Sequence, residues 1–115
     1  MESIRIINGK ITTPELKKIA VEKFGDMFKA VVDLERSIMA VGGEMHADEE
    51  AVLLESGSKQ ADLWGINIYP DLSWPEMVEF DSMINIRPNQ GNRSRSVEDG
   101  ATRDRILTVV RNLLS

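Results

Sequence analysis

The chain has 115 residues, 42% of them apolar and 29% charged, which suits a single globular domain and excludes a wholly disordered chain. It contains no cysteine, so disulfides, thiolate metal sites and cysteine nucleophiles are excluded. Its formal net charge of −5 argues against a general nucleic-acid coat, and no apolar run reaches the roughly 20 residues that span a bilayer.

The opening residues, Met-Glu-Ser-Ile-Arg, lack the basic and apolar regions of a signal peptide, so a cytoplasmic protein with no membrane contact is expected. Ile4 to Ile7 reads as a short strand closed by Asn8 and Gly9. Thr12 and Glu15 then form a capping-box pattern with Pro14 in the first turn. Leu16, Ile19, Ala20 and Phe24 fall on one face of the helix that follows, and Gly25 stops it. Phe28 to Leu34 and Ile38 to Val41 are apolar runs around a polar turn, the pattern of a hairpin. From Asp48 to Ser56 the composition predicts a short helix, with Asp48 as N-cap and Gly57 as terminator.

Leu63 to Tyr69 predicts a strand closed by Pro70, and Val78 to Arg87 predicts another, ended by Pro88. Alternation along the second puts Val78, Phe80, Ser82, Ile84 and Ile86 on one face and Glu79, Asp81, Met83, Asn85 and Arg87 on the other. Asn89 to Asn92 is turn chemistry. Ser96 is placed to cap the last helix, with Asp99 at the capping-box position and Thr102, Ile106, Val109, Val110 and Leu113 as its buried stripe. The order βαββαββα predicts an α+β fold over residues 1–115, with a mostly antiparallel sheet of about five strands and three helices.

Three segments, Lys-Ala-Val-Val-Asp-Leu-Glu from Lys29, Gly-Gly-Glu-Met-His-Ala-Asp-Glu-Glu from Gly42 and Asp-Leu-Trp-Gly-Ile-Asn-Ile-Tyr-Pro from Asp62, resemble a small prokaryotic family of unknown function. The run Phe-Asp-Ser-Met-Ile-Asn-Ile-Arg-Pro-Asn-Gln-Gly-Asn-Arg-Ser-Arg-Ser-Val-Glu-Asp from Phe80 is the most specific part of the resemblance. The resemblance runs from Phe24 to the C-terminus and implies a self-contained domain; it transfers no activity and no catalytic residues.

The residues themselves offer three candidate sites. Arg87, Arg93 and Arg95 lie in a stretch free of acids that runs into the helix start at Ser96. Guanidinium groups beside a helix N-terminus are a seat for phosphate or carboxylate, and Asn92 belongs to the same loop. Pairing of those arginines with Glu98, Asp99 or an acidic pole would instead pin the loop. Second, Asn67, Asp81, Asn85 and Arg87 form a polar surface if the two late strands pair, although a solvated sheet face is the more ordinary reading. Third, the only histidine, His46, stands among Glu44, Asp48, Glu49 and Glu50, where Glu44, His46 and Asp48 are candidate metal ligands and His46 a candidate base. No spaced metal motif supports that set.

Gly65 inside a strand marks a bulge or the close approach of another group. Trp64 suits the core, while Trp74 in a polar loop suits a partner or a stacked base. There is no P-loop, no GxGxxG and no triad spacing, so no cofactor is expected. The leading reading is a module that binds a phosphate-bearing small molecule, a nucleic acid or an acidic partner through Arg93 and Arg95. The alternatives are a small phosphodiester hydrolase using His46 or Asp81 as base, and a structural or regulatory protein dimerising through an incompletely covered sheet.

Overall fold

The computed structural model describes residues 4–115. Its elements run β1 (Arg5–Ile7), α1 (Thr13–Lys23), β2 (Phe28–Asp33), β3 (Ile38–Val41), α2 (His46–Glu55), β4 (Leu63–Ile68), β5 (Val78–Glu79) and α3 (Gly100–Leu113). The strands form one antiparallel sheet in the order β1-β3-β2-β4-β5. This is the α+β architecture and element order that the pattern of turns and apolar runs predicts.

α1 begins as expected. The Glu15 N–H donates to Thr12 Oγ1 at 3.3 Å and the Thr12 N–H donates back to Glu15 Oε1 at 3.1 Å. Leu16, Ile19 and Ala20 are buried, and Gly25 takes the positive φ (93°) that lets the chain leave the helix. Phe24 departs from the expected stripe: it sits at the C-cap and is exposed, because the helix ends before its ring turns inward.

Each face of the sheet has its own covering. Alternate residues of β2 and β4 (Phe28, Ala30 and Val32; Trp64, Ile66 and Ile68) join α1 and α3 in the larger core. From α3 that core takes Ile106, Val109, Val110 and Leu113, four positions of the predicted stripe, while Thr102 is only half-buried. On the opposite face Val31, Ile38, Ala40 and Leu63 meet Leu53 of α2 in a smaller cluster. No helix among the described residues is long and apolar enough to cross a membrane.

Three boundaries differ from the sequence reading. First, α2 starts at His46, with Met45 at its N-cap and Asp48 inside the first turn. The Asp48 N–H already donates to the Met45 carbonyl, and the buried His46 ring, docked on the sheet, fixes the start two residues early. Second, β5 stops at Glu79, and the predicted strand to Arg87 is instead a loop with short 3₁₀ turns at Met83–Asn85 and Pro88–Gln90. Ser82 Oγ accepts from the Ile84 N–H, and the Asn85 side chain bonds to backbone, so local polar side chains replace the ladder. The alternating pattern in that stretch is therefore not strand parity.

Third, Ser96 is not the cap of α3. Asp99 is: its Oδ2 accepts from the Thr102 N–H at 2.9 Å, and the helix begins at Gly100. Ser96 Oγ accepts from Arg103 Nη2, and Val97 is fully buried, which anchors the chain in the core before the helix starts. Arg93 and Arg95 thus lie outside the N-terminus of α3.

Candidate functional site

The face carrying α2 is the polar one, and it is largely covered, with Glu79 exposed at its edge. Lys29 of β2, Asn67 of β4 and Glu79 of β5 lie side by side in register, with Val31 opposite Gly65 in the next row. The segment from Phe80 to Ser96 folds back over this end of the sheet. Gly65 is what admits it. A Cβ built at Gly65 would stand 2.5 Å from Ser82 Cβ and Oγ and 3.1 Å from His46 Cδ2, so both side chains pack directly on the β4 backbone. Of the two readings for a strand glycine, close approach is the correct one.

Asn85 completes the join. Its Oδ1 accepts from the Gly65 N–H at 2.8 Å, and its Nδ2 donates to the Gly65 carbonyl at 2.9 Å and the Arg95 carbonyl at 3.0 Å. One amide side chain thereby stands in for a neighbouring strand. Asn92 holds the other limb: its Nδ2 lies 2.7–3.0 Å from the carbonyls of Asn85, Ser94 and Ser96, and its Oδ1 accepts from the Glu98 N–H. Both asparagines are buried and engaged within the chain. Asn67 donates to Glu79 Oε1 at 2.8 Å and is buried as well. Asn67 on the sheet and Asn85 and Asn92 in the covering segment are thus buried where the two meet, and a solvated face was the ordinary expectation there.

The three arginines part company. Arg87 is buried, donates to the Gln60 and Leu63 carbonyls and stacks 4.3 Å over the Trp64 ring centroid. At Arg93 and Ser94 the backbone N–H groups donate to Glu98 Oε2 at 2.9 and 2.8 Å, so a carboxylate of the chain itself fills that anion-shaped turn. The Ser94 hydroxyl, with those N–H groups, holds the Glu98 carboxyl below its usual range. Arg95 is different: its Nε bonds Asp81 Oδ1 at 2.7 Å in an exposed ion pair, and its side chain lines a pocket.

That pocket, about 120 Å³, joins two of the sequence candidates. Arg95 and Ser82 come from the covering segment, Lys29 from β2, and Met45, His46 and Ala47 from the start of α2. Met83 and Ile84 complete the wall. The Lys29 ammonium lies 5.3 Å over the Phe24 ring centroid and, among the described residues, forms no ion pair. Met45 supplies no side-chain cap and lines the pocket with His46 and Ala47, so the start of α2, whose first turn also carries Asp48 and Glu49, borders it. A roomier concavity of about 230 Å³ between Leu34, Ser37 and α3 gathers only Asp104 and Arg105 as charged groups. Arg93 lines neither.

His46 is buried, and its Nε2–H donates to the Ile66 carbonyl at 2.7 Å, which leaves Nδ1 as the unprotonated nitrogen. Burial pushes its pKa down; the Ile66 bond, Asp81 and Asn67 oppose this, and Lys29 adds to it. The ring is therefore neutral at neutral pH. Among the described residues no group of three or more His, Asp or Glu is arranged to hold a metal ion, and Glu44, His46 and Asp48 are not gathered into one. Trp74 packs half-buried against the larger core with Arg111 over its ring, so it does not stand open as a stacking surface.

A family model for proteins of unknown function, DUF5674, matches residues 5–113. The chain belongs to that family. No curated protein and no solved structure matches it. Membership in DUF5674 agrees with the resemblance carried by the segments from Lys29, Gly42, Asp62 and Phe80, and it assigns no chemistry to any of them.

Lys29, Ser82, Met45 and Met83 escaped the sequence reading. Lys29 alone left a trace, as the one charge inside the apolar run Phe-Lys-Ala-Val-Val. Ser82 gave none, because its role depends on a glycine seventeen positions earlier.

Proposed function

We propose that the chain binds a phosphate-bearing ligand in the pocket between the start of α2 and the segment Asp81 to Arg95. One observation carries this reading: Lys29 and Arg95, from distant parts of the sequence, line the same small concavity as the first turn of a helix. Arg95 is held by Asp81 in an exposed pair, which contributes little and is readily exchanged for a ligand oxygen. Net of Asp81, the lining side chains supply one positive charge, and the helix dipole adds to it. The volume fits one phosphate group and few further atoms. This reading keeps the expected anion chemistry and Arg95, and replaces Arg93 and Ser96 with Lys29.

The test is a chemical-shift titration with inorganic phosphate at low and high salt. Shifts are expected at Lys29, His46, Ala47 and Ser82 to Ile84, weakening as salt rises. Lys29→Ala/Arg95→Ala should weaken binding at least about tenfold, the loss of well-formed charge-assisted bonds. Shifts confined to Arg93–Asp99, or none, would sink the reading.

A second reading, phosphodiester hydrolysis, is favoured by His46 and Arg95 lining one pocket. A neutral His46 has an unprotonated nitrogen able to take a proton, with Arg95 beside the developing charge. Release of nitrophenolate from bis(p-nitrophenyl) phosphate, abolished in His46→Asn, would support it; no turnover above buffer would leave binding alone.

A further inference from the structure

The wall of the same pocket has an apolar part that a bare anion does not use. Met45, at the N-cap of α2, is 58% exposed, and Met83, in the turn after Ser82, is 65% exposed. Both line the pocket that Lys29 and Arg95 line, and half-buried Ile84 lies with them. Such long apolar side chains in water forgo the stabilisation that burial gives. Methionine is also unbranched and polarizable, so it settles on flat or irregular apolar surfaces. The pocket itself is too small for more than a head group. A larger ligand reaches past the pocket, where Met45 and Met83 stand exposed on its wall.

We propose that the ligand is a phosphate monoester carried on an apolar or aromatic body, with the phosphate between Lys29 and Arg95 and the body resting on Met45 and Met83. This rests on the anion-binding reading above and adds the class of molecule. Charge complementarity fixes the orientation, because the cationic groups and the start of α2 take the head, while Met45, Met83 and Ile84 offer no donor to a hydroxylated body. A sugar or glycerol phosphate has little apolar surface to lay on thioether and methyl groups, so it gains less from them.

The experiment compares three probes on the full chain: inorganic phosphate, glycerol 2-phosphate and phenyl phosphate, each titrated by chemical shift. Each is repeated on Met45→Gln/Met83→Gln, which keeps the side-chain length at two exposed positions without a short N-cap hydroxyl, and folding is checked by the melting curve. Phenyl phosphate is expected to bind about tenfold or more tightly than glycerol 2-phosphate, the scale of burying part of an apolar ring. The double variant should erase that preference while inorganic phosphate still binds. If phosphate binds but the two esters bind equally, or the preference survives the variant, the apolar-body proposal is overturned and anion binding stands. If no probe shifts the pocket, both fall.

Discussion

The two faces of the sheet are held by different physics. Under α1 and α3, side chains such as Val32, Met39, Ile66 and Val110 interlock without a polar atom among them, and cohesion scales with apolar area. Under α2 and the Phe80–Ser96 segment the apolar cluster is small, and directed hydrogen bonds from Asn85, Asn92 and Arg87 to backbone do the rest. The first face tolerates changes of shape better than changes of polarity, whereas the second is sensitive to single atoms. The second face keeps a pocket in which Lys29 and Arg95 meet the first turn of α2, held by hydrogen bonds of the covering segment, whereas the concavity beside α3 pairs Asp104 with Arg105.

Breaking the apolar face should have the largest effect. Val110→Asp buries an unpaired charge in the larger core and is expected to cost several kcal/mol, read from chemical denaturation. A mutant melting with the parent would mean that α3 is not docked on β2 and β3. Asn85→Ala comes next on the polar face. It strands the N–H and carbonyl of Gly65 and leaves the Arg95 carbonyl with the Ser82 N–H alone, with an expected loss of about 2–4 kcal/mol. Asn85→Leu should recover little of this, whereas the volume-conserving Ile66→Leu on the apolar face should cost less than about 1.5 kcal/mol. Equal tolerance at both sites would erase the distinction between the faces.

pH sharpens the comparison more gently. Burial holds the His46 pKa below its usual 6.5, so the unfolded chain takes up a proton there before the native one does. Stability is therefore expected to fall as pH drops through 6.5 and to level off once the native ring also titrates. His46→Asn should remove that slope. Glu15, held low by the Thr12 N–H, Glu98 by the Ser94 hydroxyl and Asp99 by the Thr102 hydroxyl lose their contributions only at lower pH. A slope unchanged in His46→Asn would place its source elsewhere. The smallest effect is expected at Asp81→Asn: the exposed pair with Arg95 should be worth less than about 1 kcal/mol by urea denaturation. A loss of several kcal/mol would make that pair a structural strut.

The same contrast explains what could be read from the sequence. The Thr12–Glu15 box, the 28–41 hairpin, the stripe on α3 and strand β4 follow periodicity and capping, which are local. The loop from Phe80 to Ser96 follows pairings such as Asn85 and Ser82 with Gly65, which join distant residues and leave no periodic trace. Alternation of polar and apolar residues there imitates a strand, and Ser96 imitates a cap. Gly65 announced that something approaches the strand, but not what. His46 and Arg95 were each visible as candidates; their meeting in one pocket, and the presence of Lys29 beside them, required the fold.

The most direct test is an anomalous difference map from crystals soaked in tungstate, a heavy tetrahedral stand-in for phosphate. The account expects a peak in the pocket walled by Lys29, His46, Ser82 and Arg95, with Asp81 drawn back from the Arg95 guanidinium. A peak only at the Arg93–Glu98 turn or beside Arg36 or Arg105, or no peak at all, would contradict it.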